Sequence, residues 1–352
     1  MLKGTNKING DVSCLNIASD TMNTVFSFEH LYRSFEKATC GVKWKLSTQN
    51  FMVNACCRLV RIRKQILSGT YKNQPMRHFT IYERGKTRNI SALSFQDRVV
   101  HKCLCDYYLT PLLSKSIIYD SGATLKNKGL GFTRKRIITH LQKYYRKNKN
   151  KGYVLKIDLH NYFESIDHEI LMNKINKKVK DEQMLKLIRQ CIDLNEKGLG
   201  LGSQVSQISA MFYLNDLDHY IKEKLHCKFY GRYMDDLYII EKSKWKLRHC
   251  LKEIRNIVHK EKLTLSENKT HIYKLRNGFV FCKCRYFLTK TGKIKRFPVG
   301  HSIKIFHRKY KKGIRLLDIV PAFKSYLANF NCYKLIKSCI INTKGESLCQ
   351  KN

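Results

Sequence analysis

With 352 residues, 43% of them apolar, the chain is long and hydrophobic enough for a folded interior, which excludes disorder. Its 68 Lys and Arg face 27 Asp and Glu, a formal net charge of +41 that repels itself without a polyanionic partner. Nucleic acid fits that demand, whereas an anionic membrane does not: no long basic amphipathic helix, lipidation signal or apolar run of roughly 18 residues is present. The 14 cysteines sit in hydrophobic runs or C-x-C spacings without a signal peptide, which argues against a disulfide scaffold or zinc site and for reduced cytoplasmic thiols.

In chain order, residues 1–25 are polar and read as a loose arm. From Phe26 to about Gly69 the apolar residues recur at helical spacing. Residues 78–92 alternate around Gly85-Lys86, as a β-hairpin does. A helix is predicted over 97–113, ending near Pro111, and a basic helix lies within 126–152 between glycine-containing loops. Tyr153–Leu159 reads as a strand, 168–178 and 181–194 as helices, and a glycine-rich stretch then leads to a helix over 207–225. A hairpin follows, 228–233 and 237–241 around Met234-Asp235. The stretch 244–262 is helical, 271–275 and 279–288 are strands, and the tail from about 301 is basic and helical. The sum is an α+β chain with an antiparallel sheet at its centre.

The acids carry the chemistry. Asp235 and Asp236 occupy a turn between apolar strands, and Asp158 ends another apolar strand. Uncompensated carboxylates there are costly unless they are at a surface or bind a cation. Oxygen ligands of this kind suit Mg²⁺, and two such ions about 3.5–4 Å apart activate a hydroxyl and stabilise a leaving pyrophosphate. A plain Asp turn is the alternative for Asp235-Asp236 by themselves.

RYMDDLYII (232–240) resembles the catalytic Tyr-x-Asp-Asp motif of reverse transcriptases, and KIDLHNYFESIDHEIL (156–171) resembles their first aspartate motif. The likeness runs in order over residues 76–290. It implies a right-hand polymerase: an N-terminal arm and helical extension (1–75), fingers (76–152 with part of 170–205), an antiparallel palm (153–290) and a basic helical thumb (291–352). It implies RNA-directed DNA synthesis with two Mg²⁺ ions, or Mn²⁺ in their place, at Asp158, Asp235 and Asp236.

The remaining motif positions follow from the same resemblance. Lys86 and Arg88 match the basic pair of the fingers hairpin that binds the incoming triphosphate. Leu159 and Tyr233 flank the aspartates on the substrate side, and Phe163 matches the ring that excludes a 2′-hydroxyl, with Tyr162 as the alternative ring. Leu201, Gly202 and Gln207 match the loop that cradles the templating base. Their form, aliphatic-Gly-x-x-x-Ser-Gln, departs from the Gln-Gly-x-x-x-Ser-Pro of retroviral and intron enzymes and resembles diversity-generating and unassigned bacterial groups. Ser206 is expected to cap the next helix. Lys269 matches a lysine that protonates pyrophosphate, and Phe279–Cys282 resembles the primer grip, with Cys282 where glycine is common. The implied setting is the bacterial cytoplasm, with dNTPs, an RNA template (a specific non-coding RNA), a DNA product, and an accessory protein or self-association. The implied role is antiphage defence. The alternatives are the polymerase of a diversity-generating element, a template-independent or protein-primed DNA polymerase, and a catalytically silent RNA-binding module.

Overall fold

Serines set the starts of the first long helices. In the computed structural model, which describes residues 21–83, 86–200 and 202–300 with Lys304, Arg308, Leu327 and Phe330, Phe28–Thr39 begins where Ser27 Oγ accepts the His30 N–H. Phe95–Leu104 begins likewise where Ser94 Oγ accepts the Asp97 N–H. Thr21–Val25 is helical too, with Met22 and Val25 buried, so the loose arm expected over 1–25 does not hold for these five residues. Residues 1–20 lie outside the described part. Leu46–Val53 and Ala55–Leu67 complete the expected helical region. The rings of Phe35, Phe51 and Phe95 interlock at centroid distances of 5.1–6.2 Å.

The chain divides into two units, one of residues 1–112, 172–194 and 200–206, the other of 113–171, 195–199 and 207–352. In the first, strands β1 (Arg77–Glu83) and β2 (Lys86–Ala92) pair antiparallel, with Arg77 opposite Ala92 and Glu83 opposite Lys86. The helix expected to end near Pro111 continues past it. Phe95–Leu104 passes through a widened turn, Cys105–Leu109, into Thr110–Ser114. Because Thr110 N–H already reaches back five residues to Cys105 O, the proline's missing N–H falls in a displaced ladder that tolerates it.

The second unit is built on a four-stranded antiparallel sheet. Strands β3 (Tyr153–Asp158), β4 (Tyr230–Tyr233), β5 (Asp236–Glu241) and β6 (His271–Lys274) lie in the order β4-β5-β3-β6. Val154, Tyr238 and Ile240 pack from one face against Ile137, Leu141 and Tyr144 of helix Leu130–Asn148 and against Phe279 and Phe281. Side chains alternate along a strand, so buried Leu155, Ile157, Leu237 and Ile239 point to the other face, where helix Lys244–Lys260 packs on β3 and β5. Gly231 lies opposite Tyr238, and a Cβ there would come within 2.8 Å of that ring.

A second sheet joins β7 (Phe279–Phe281), β8 (Cys284–Leu288) and β9 (Ile294–Pro298). The strand expected over 279–288 is therefore broken. Cys282 and Lys283, at φ 48° and 58°, make a two-residue hairpin loop that needs both in the left-handed region. No strand was expected at β9. Apart from single positions, the tail expected to be helical from 301 lies outside the described residues.

Candidate active site

The last residue of β3 is Asp158 and the first of β5 is Asp236, and the two face each other in cross-strand register. Asp235 precedes Asp236 in the turn and is fastened to the end of β3, because its carbonyl accepts the Leu159 N–H at 3.3 Å. The Asp158 carbonyl accepts the Ser266 N–H at 2.8 Å. Backbone pairing thus brings together three acids spread over 79 positions of sequence.

The turn itself demands an unusual backbone. Tyr233 pairs with Asp236, which leaves Met234-Asp235 as a two-residue loop, and Met234 adopts φ 54°. Arg232, fully buried, holds it there. Its Nη1 donates to Met234 O at 3.1 Å and its Nη2 to Met211 O at 2.9 Å. Nε and Nη2 also grip the Asp218 carboxylate at 2.6–3.0 Å, and the Tyr230 hydroxyl donates to the same carboxylate. Burial works against the Arg232 charge, but Asp218 outweighs it and raises the guanidinium pKa. Arg232 opens the RYMDDLYII stretch, and nothing in its linear context points to this task. Asp218, 14 residues away, offered no signal.

The electrostatics are those of acids short of cations. Burial first, then the Asp158 charge, raises the pKa of Asp235. Burial likewise lifts Asp236 to about 6, with Asp235 and Asp158 adding to it and Lys156 opposing. Lys156 Nζ stands 3.5 Å from Asp236 Oδ1, an atom buried without a hydrogen-bond partner. Lys269 Nζ lies 2.7 Å from Asp158 Oδ1, and that hydrogen bond raises the lysine's pKa. Among the described residues no three His, Cys, Asp or Glu side chains already close on one point. The donor set nonetheless fits a hard divalent cation: three carboxylates, two disfavoured as anions and one with an unused buried oxygen.

Other predicted positions separate by exposure. Tyr162 is buried with its hydroxyl donating to Ala210 O, whereas Phe163 is half-buried, so Phe163 is the ring left accessible. Leu159 buries its side chain and offers backbone only, and Tyr233 is half-buried. Gly202, at φ 115°, is exposed, where a Cβ would meet only Ser91 O at 3.9 Å, and Gln207 is exposed. Leu201 and the side chains of Lys86 and Arg88 lie outside the described residues.

Ser206 is not the cap. The helix is Gln204–Tyr213, and it is Ser203 Oγ that accepts the Ser206 N–H. Ser203 meets His101 Nδ1 at 3.0 Å, and His101 Nε2 meets Asn73 Oδ1 at 3.3 Å. Since Asn73 Oδ1 only accepts, Nε2 carries the proton and Ser203 donates to Nδ1. Cys282 sits in a conformation that favours glycine, which explains a glycine at that position in the resembling motif.

A family model described as reverse transcriptase (RNA-dependent DNA polymerase) matches residues 71–325. Among curated proteins the chain is 23% identical over 270 residues to protein YkfC of Escherichia coli strain K12, covering 62% of this chain and 68% of that one. It is 28% identical over 128 residues to the retron Ec73 reverse transcriptase of Escherichia coli, covering 33% of this chain and 40% of the relative. Among solved structures, telomerase of Candida albicans superposes with a TM-score of 0.51 at 13% identity, over 77% of this chain and 58% of that one. The chain thus spans well under two thirds of the retron and telomerase chains, and the structural likeness carries the fold: an α+β right-hand polymerase.

Proposed function

This chain belongs to the reverse-transcriptase family of RNA-dependent DNA polymerases, and from that premise we propose that it copies an RNA template into DNA at Asp158, Asp235 and Asp236. The observation that carries the reading is the cross-strand facing of Asp158 and Asp236 beside Asp235. Asp158, Asp235 and Asp236 would hold two Mg²⁺ ions (or Mn²⁺), which would supply Lewis-acid activation of a primer hydroxyl and charge stabilisation for a leaving pyrophosphate. The protein's own part is positioning and proton supply. Arg232 fixes the turn that presents Asp235 and Asp236. Lys269, whose proton Asp158 helps retain, delivers it from Nζ to pyrophosphate, worth roughly 10²–10⁴-fold in rate. The accessible Phe163 ring lies against the sugar and excludes a 2′-hydroxyl, selecting dNTPs. Lys86 and Arg88 bind the triphosphate, Gly202 and Gln207 meet the template, and Leu159 and Tyr233 line the site through backbone and ring.

Primer extension on an RNA template with Mg²⁺ and dNTPs tests this. The natural chain is expected to make DNA, and a variant with Asp235→Ala and Asp236→Ala to make none. Absence of product from both, or equal product from both, overturns the reading, and product without template identifies untemplated or protein-primed synthesis. For the biological role we propose antiphage defence with a dedicated non-coding RNA; the Leu201–Gln207 motif form fits that role and a diversity-generating element alike. A variable-protein gene with a template repeat beside the coding sequence would instead assign it to a diversity-generating element.

A further inference from the structure

The sheet that carries the aspartates has a second helix-covered face, and the outer surface of that helix has no task in nucleotide transfer. Asp158, Asp236 and Lys156 share strand parity with Val154 and Tyr238, so they belong to the face covered by Leu130–Asn148. Helix Lys244–Lys260 lies on the opposite face, buried through Leu247, Cys250, Ile254 and Val258. Its outer surface carries an aromatic platform among cations. Trp245 is 75% exposed, and its ring lies parallel to that of His249, one turn on, with centroids 6.1 Å apart and planes 10° from each other.

Lys244, Arg248 and Lys252 lie along one flank of the platform, all exposed, and among the described residues none is in an ion pair. The neighbouring Lys246 and Arg255 are paired, with Glu241 and Glu267. The helix holds six Lys and Arg against one Glu. A solvated basic face explains the lysines. It does not call for a large ring left in water with its plane parallel to a histidine's one turn on, beside them.

We propose that Trp245 and His249, with Lys244, Arg248 and Lys252, form a docking site for unpaired RNA, remote from the catalytic face. The arrangement matches single-stranded recognition: an aromatic face stacks a base, and the flexible cations beside it follow the phosphates. A duplex keeps its bases stacked inside and offers this platform nothing to bind, so the occupant is a loop or single-stranded segment. The site deepens the RNA-copying reading and rests on it for the choice of polyanion: it tethers part of the RNA outside the segment being copied.

The chain has two tryptophans, so in a Trp44→Phe variant Trp245 reports by itself. Titration with a 12-nucleotide oligouridylate is expected to quench its emission saturably, while heparin, a polyanion without bases, competes without quenching. Arg248→Glu with Lys252→Glu should lower the salt-dependence slope by about 1.4, from two phosphate contacts at about 0.7 each. Trp245→Ala, read by anisotropy of labelled oligouridylate, should weaken binding on the order of 10-fold. No quenching by RNA overturns the proposal, and so does equal quenching by heparin. Extension of a short RNA template, run in parallel, should be unchanged in Trp245→Ala. Failure of extension in the natural chain would sink the polymerase reading while the quenching result stood.

Discussion

Replacing Asp218 by asparagine tests how the Asp235-Asp236 turn is held. Asp218 and Arg232 are both fully buried, and the carboxylate accepts from Nε, Nη2 and the Tyr230 hydroxyl. Asparagine keeps the shape but leaves the guanidinium charge uncompensated, and removing one partner of such a pair costs about 3–5 kcal/mol. Urea denaturation is therefore expected to lose that much in Asp218→Asn. A combined Asp218→Leu, Tyr230→Phe and Arg232→Met variant removes both charges and the hydroxyl that would lose its acceptor, so it should recover most of the stability. It cannot recover the Nη1 bond to Met234 O. A left-handed Met234 costs about 1–3 kcal/mol that surrounding contacts must offset. Primer extension should thus stay low in the combined variant despite its restored fold. A cost under about 1 kcal/mol for Asp218→Asn, or recovered extension in the combined variant, would refute the argument.

Three further outcomes are expected. Phe163→Ala should raise ribonucleotide incorporation relative to dNTPs by about 10–200-fold, measured as the ratio of kcat/KM for the two substrates, if that ring is the sugar gate. Leu201→Gln should lower misincorporation on a defined RNA template by restoring a hydrogen-bonding amide; equal error rates would count against a fidelity role. Burial lowers the His101 pKa from 6.5 to about 4, so below pH 6.5 the unfolded chain takes up a proton that the folded one refuses. That stability is complete above pH 6.5 and fades as pH falls toward 4, by about 2 kcal/mol between pH 7.5 and 5. Urea titrations at the two pH values should show the loss in the natural chain and a smaller one in His101→Gln.

What was legible in the chain was whatever declares itself by residue type at a boundary. Asp158, Asp235 and Asp236 stood out because acids at the ends of apolar strands are costly without a reason, and the sheet register then put Asp158 opposite Asp236. The misses have a different physics. Arg232 looked like one of 68 cations, and its task depends on Asp218 and Met211, whose proximity is set by tertiary packing. Lys156 alternates correctly as a strand residue, yet its position beside Asp236 is a cross-strand fact. The break at Cys282-Lys283 was hidden because neither residue favours a positive φ, so local propensity argued for a continuous strand and the hairpin overrode it. Tyr162 and Phe163 were indistinguishable as neighbouring rings until burial separated them. Motif order therefore picks out the acids at the strand ends, while the groups that hold those acids in place are selected by contacts that no linear spacing encodes. Mutations in this second set, Asp218 foremost, are where loss of synthesis and loss of fold must be measured apart.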